Sequence, residues 1–117
     1  MFYFLWHNQP GGKSPHWDGP YDVTKILAAD PQALQKPHSR LWGPVGRYHY
    51  WSEPLFGYYM SDDPWVLRRH AQLLADAGVD TLIFDTTNAV TYPEVYRQLC
   101  AVFHQIRTEG GRTPQIA

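Results

Sequence analysis

Short apolar runs that end in polar tips alternate with amphipathic segments along this chain, and that alternation predicts an α/β fold. Three observations carry the prediction. Residues 55–60 and 81–85 are apolar runs bounded by turn residues. The segment between them repeats apolar residues every three to four positions, the helical period. The same rhythm begins at Phe2 and returns at Thr113. The predicted architecture is an incomplete (β/α)8, or TIM-type, barrel: the first three βα units and the start of a fourth strand. A closed barrel needs roughly 200 residues or more, and the chain has 117. Residues 1–117 are therefore expected to be a single N-terminal fragment of a barrel catalytic domain.

Residues 2–6 are apolar and aromatic, consistent with a buried first strand. Residues 7–12 follow as a polar, glycine-rich loop. Val23, Ile26 and Leu27 then recur at helical spacing within residues 22–29, and Pro31 closes that helix. Residues 31–53 are rich in Pro, Gly, His and Trp and show no period. So many aromatic residues argue for an ordered loop, expected to cover one end of the barrel.

Residues 55–60 are predicted as the second strand. Asp63 is placed to cap the next helix, with Pro64 at its first position. Val66, Leu67, His70, Leu73, Leu74 and Ala77 mark one face of that helix, and Gly78 ends it. Residues 81–85 form the third strand. Thr91, Tyr92, Pro93 and Glu94 match a capping box. Val95, Leu99, Val102, Phe103 and Ile106 give the inner face of the last helix. Cys100 is read as a small residue of that core. Residues 113–117 look like a fourth strand.

Composition narrows the function. Ten basic and eleven acidic residues leave a net charge of -1. No strong field of either sign exists, which argues against nucleic acid as a partner. No stretch is long and apolar enough for a transmembrane segment. Aromatic residues reach 15%, with five Trp and eight Tyr. Flat amphipathic rings suit the faces of sugars, and Trp6 and Tyr59 are the rings assigned to stack on substrate. One cysteine excludes an internal disulfide. The six histidines show no metal-binding spacing, so neither a metal nor another cofactor is expected.

In a parallel βα fold, chemistry gathers at the C-terminal ends of the strands. The polar residues predicted there are His7 and Asn8, then Ser61, Asp62 and Asp63, then Asp85, Thr86, Thr87 and Asn88. Asp85 is the strongest single candidate for acid or base work, because it ends an apolar strand. It can equally hold a sugar hydroxyl, or cap its own loop. His7 is a candidate hydrogen-bonding or acid-base group. Asp62 is free to point toward a ligand, whereas Asp63 reads as a helix cap. Asn88 can donate to and accept from a hydroxyl. His70 and His104 read as helix residues packed beside the core.

The opening FYFLWH, the segment GPYDVTKIL and above all EPLFGYYMSDDPWVLRRHAQLLADAGVDTLIFDTTN resemble the N-terminal part of bacterial (β/α)8-barrel proteins related to glycoside hydrolase families 71 and 99. In those proteins a GYY-x-S-x-D tip, a V-x-R-x-H-A helix and an AGVD-x-L-x-FD-x-TN strand follow one another as here. The resemblance implies a glycoside hydrolase acting on α-linked glucan or mannan-type polysaccharide through two carboxylic groups. It implies that the main catalytic carboxylates lie beyond Ala117, and that Asp62, Asp85 and Asn88 line the substrate site.

The expected partner is thus an oligosaccharide or polysaccharide. Open strand edges also lead us to expect self-association of the chain. A non-catalytic carbohydrate-binding protein on the same scaffold is the alternative, and a barrel enzyme of another reaction class is a third. The chain shows no signal peptide; an extracellular or periplasmic address would suit the substrate.

Overall fold

The computed structural model describes residues 1–5, 21–47 and 49–117. In chain order the strands are β1 (Phe2–Tyr3), β2 (Tyr21–Asp22), β3 (His49–Tyr50), β4 (Thr81–Phe84) and β5 (Gln115–Ile116). The α-helices are α1 (Val23–Ala29), α2 (Pro64–Asp76) and α3 (Pro93–Thr108). Two compact units result, and each is described by itself. One comprises Met1–Asn8 with Tyr59–Ala117, the other Gln9–Tyr58.

The first unit is built on a parallel sheet of order β1-β4-β5. Phe2 stands beside Ile83 and Tyr3 beside Phe84, while Thr81 stands beside Gln115 and Leu82 beside Ile116. Side chains alternate along a strand, and here the alternation sorts core from surface. Leu82 is fully buried and Phe84 packs on the same core. Ile83, between them, is 44% exposed on the opposite face. Leu67 and Ala71 of α2 and Val95, Leu99, Val102 and Phe103 of α3 complete that core with Leu5. Both helices therefore cover one face of the sheet. Phe103 is 1% exposed, and truncating such a residue to alanine costs about 3–5 kcal/mol.

Local signals fix the helix ends. The Asp63 carboxylate accepts from the amides of Trp65 at 2.8 Å and Val66 at 3.2 Å, which satisfies two of the free donors at the start of α2. At its other end Val79 N–H donates to Leu74 and Gly78 N–H to Ala75. This is a Schellman closure, and Gly78 supplies the left-handed residue it needs, with φ 75°. The expected Thr91–Glu94 capping box does not form. The residue preceding α3 is Tyr92, in a left-handed conformation and without a side-chain cap, so the Thr91 hydroxyl is one residue out of register.

The second unit pairs β2 with β3 in parallel, Tyr21 beside His49 and Asp22 beside Tyr50. Asp22 is both the last residue of β2 and the cap of α1, accepting from Thr24 N–H and Lys25 N–H. Residues 31–53, read as a loop, contain two 3-10 turns (Ala33–Gln35 and Arg40–Trp42) as well as β3. Trp42 is a fastener of this unit. Its indole N–H donates to the carbonyls of Ala33 and Lys36 at 3.1 and 3.2 Å.

The barrel expectation is overturned. The described residues form a small α/β structure with three α-helices and two parallel sheets of three and two strands. The decisive difference lies at residues 55–60, which form turn and irregular backbone rather than a strand. Gly57 adopts φ 72° and its N–H closes a turn onto Pro54. Leu55 is 93% exposed. Left-handed backbone and a proline turn are incompatible with a central strand. β1 pairs with β4, and among the described residues no strand pairs with its other edge. Two side-chain readings also change: Cys100 is exposed, and so is His104.

Candidate functional site

Parallel sheets present their ligand-binding ends where the strands run out. In the first unit that end is marked by Asp85, immediately after β4. Its amide donates to the Tyr3 carbonyl at 3.1 Å, so the ladder with β1 continues through this residue. Its Oδ1 accepts from the Thr87 amide at 3.2 Å and from the Thr87 hydroxyl. Two donors from one residue hold the carboxylate in a fixed orientation, and among the described residues no hydrogen bond to Oδ2 accompanies them. By alternation Asp85 shares a face with Ile83 and Thr81, away from the helices.

A second feature lies along β1, where the expected second strand would have paired. The chain passes there as irregular backbone, and a cavity of about 220 Å³ opens between it, β1 and the start of α2. Tyr3, Tyr59, Ser61 and His70 supply its polar groups, over a lining that includes Phe2, Val66 and Leu67. The Tyr3 hydroxyl and His70 Nδ1 are 2.7 Å apart. The rings of Tyr3 and Tyr59 meet the imidazole edge to face, at 5.9 and 5.6 Å. Burial, and then the neighbouring Tyr59, push the Tyr3 phenol far above its ordinary pKa. Burial raises Tyr59 as well. Both phenols are thus neutral hydrogen-bonding groups throughout the physiological range. Ser61 is 8% exposed, and its hydroxyl has no hydrogen-bond partner among the described residues.

The sequence-predicted residues scatter around these features. Tyr59 lies in the cavity. Asp85 is at its predicted strand end. Asp62 is exposed. Asn88 sits in the single turn Thr87–Ala89. Trp6 and His7 lie outside the described residues. Trp51 and Trp65 are 75% and 57% exposed, and Trp42 is committed to structure. Among the described residues no cluster of three or more His, Cys, Asp or Glu side chains is placed to hold a metal ion.

Sequence reasoning missed Tyr3, Ser61 and His70 as one group. The available signal was His70 itself, a polar residue three positions after Leu67 on the apolar face of α2. Comparison with family models, curated proteins and solved structures gives no match to any of them. Among the described residues no helix is long and apolar enough to cross a membrane.

Proposed function

We propose that this chain forms part of the saccharide-binding surface of an α-glycan-active protein related to glycoside hydrolase families 71 and 99. The observation that carries the reading is the Asp85 carboxylate, held by Thr87 through one oxygen at the C-terminal end of a parallel strand. A charged acceptor of fixed orientation suits a sugar hydroxyl, because hydrogen bonds to ionised acceptors are the stronger kind. The nearby Phe4 ring, 46% exposed, adds apolar surface on the same face.

Recognition is favoured over hydrolysis for these residues. Glycoside hydrolysis needs two carboxylic groups about 5 to 10 Å apart, whereas holding a sugar hydroxyl needs only the one oriented carboxylate that Asp85 supplies. The deciding experiment is an amide NMR titration of the chain with maltotriose and with an α-linked mannotriose. The reading expects shifts at Asp85 and Thr87, and binding about tenfold weaker in Asp85→Asn. Equal binding by Asp85→Asn removes the carboxylate from the site. Release of new reducing ends from either sugar would restore the hydrolytic reading.

A further inference from the structure

We infer that the cavity between β1, the Tyr59–Ser61 segment and α2 is a binding site for a small, uncharged, hydroxylated ligand, of the size of one sugar ring. It rests on the saccharide reading above for the class of ligand, and on its own geometry for the site.

Size comes first. Pockets for drug-sized ligands occupy about 300–1,000 Å³. A cavity of about 220 Å³ holds a single ring or its hydroxymethyl end and leaves no room for an oligosaccharide. Charge comes next. Among the described residues no Asp, Glu, Lys or Arg side chain lines the cavity. A buried ion would find no counter-charge here, so the site selects against charged ligands.

The polar groups that remain are all hydroxyls or imidazole. Tyr3 and His70 already engage each other, which fixes both rings against the apolar floor. Ser61 is different. Its hydroxyl is sealed from bulk water and unpaired among the described residues, an arrangement that folded chains rarely keep without a reason. Turning about χ1 moves that hydroxyl between staggered wells, and a ligand hydroxyl in the cavity gives it the partner the free chain lacks. Aromatic edges from Tyr3 and Tyr59 complete a wall of the kind that packs on sugar CH groups.

The test titrates the chain with methyl α-D-glucopyranoside, with glucuronate as the charged control, and follows amide resonances. The expected result is saturable shifts at Tyr59, Ser61 and His70 with the neutral sugar and none with glucuronate. Ser61→Ala should melt no lower than the parent, because the lost hydroxyl had no partner, yet bind about tenfold more weakly. Tyr59→Phe provides a second variant that keeps the ring should Ser61→Ala fail to fold. It too should weaken binding. Unchanged affinity in the folded variants, or equal binding of glucuronate, overturns the site. Shifts confined to Asp85 and Thr87 overturn this cavity and leave the saccharide reading standing. Shifts confined to the cavity support it and remove Asp85 from that reading, while shifts at neither place overturn both.

Discussion

The hydroxyl of Tyr3 and Nδ1 of His70 meet at 2.7 Å across 67 positions of sequence. This bond ties β1, an edge strand only two residues long, to the middle of α2. Tyr3→Phe keeps the ring and deletes the bond, so it should lower unfolding free energy by about 1 kcal/mol in urea titrations. The same residue predicts an alkaline limit. Its pKa is raised in the folded chain, by burial and then by Tyr59. The folded chain therefore holds this proton when the unfolded chain has released it. The stability it contributes is complete below pH about 10 and is lost as pH rises above that value. Tyr3→Phe should flatten the decline, and Tyr58, Tyr59 and Lys25, which are shifted in the same direction, contribute to the slope that remains. A slope identical to the parent's would show that Tyr3 titrates as an exposed phenol.

Asp22 governs the acid side of the other unit. Tyr58 donates its hydroxyl to Asp22 Oδ2 at 2.5 Å, and Oδ1 accepts from Thr24 N–H and Lys25 N–H. The hydrogen bond from Tyr58 is the main cause that holds the carboxyl below its usual range, with the two amides and Lys25 adding to it. A lowered folded pKa contributes stability that is present above the unfolded value, about 3.9. That stability is lost as pH falls through the folded value. Thermal melts of the parent should therefore fall steeply below pH about 4. In Asp22→Asn the melting point at neutral pH should be lower and its acid dependence weaker. A melting point equal to the parent's at neutral pH would mean that the neutral amide replaces the carboxylate fully.

How much of this was legible depended on range along the chain. Asp63, Pro64 and Gly78 announced the ends of α2, because caps act through neighbours two or three residues away. The apolar stripe from Val66 to Ala77 announced most of its inner face; Leu73, 47% exposed, and Ala77, exposed at the helix end, are the members that fail. Residues 55–60 misled, since a short apolar run reads alike for a strand and for an irregular segment. The signals against a strand were Pro54 and Gly57, and they were outvoted by Leu55, Phe56 and two tyrosines. Asp85 was readable as a strand end. The cavity beside β1 was not, because Tyr3, Ser61 and His70 are brought together only by the packing of α2 on the sheet.

Gly43 is the residue whose replacement the second unit should tolerate least. Its φ is 68°, a region costly for a residue with a Cβ. A Cβ placed there would lie 2.1 Å from the Tyr21 ring, and that ring also packs against His49. Tyr21 and His49 are themselves the first pair of the β2–β3 ladder, so the ring has little freedom to withdraw. Backbone strain and overpacking together put Gly43→Ala about 2 kcal/mol or more below the parent. Chemical denaturation measures it. Gly46, with φ 87° but open space around its Cβ position, is the control that isolates the backbone part. Equal losses at the two glycines would show that the Tyr21 contact costs nothing.

The face of the β1-β4-β5 sheet away from the helices carries Phe2 at 65%, Phe4 at 46% and Ile83 at 44% exposure. Phe2 and Ile83 stand side by side in the ladder and Phe4 lies on the same side of β1 as Phe2, so the three exposed rings and chains share a face that the Asp85 carboxylate borders. Water pays for such a face at about 25 cal/mol per Å², and exposed apolar patches drive association. We propose that the chain self-associates through this face. Light scattering over a dilution series should show mass rising with concentration. Ile83→Glu places a carboxylate on that face, outside the core formed by Leu82 and Phe84, and should shift the population to monomer while leaving the helical content unchanged. A parent that stays monomeric at every concentration, or a variant that associates as strongly as the parent, would rule this face out.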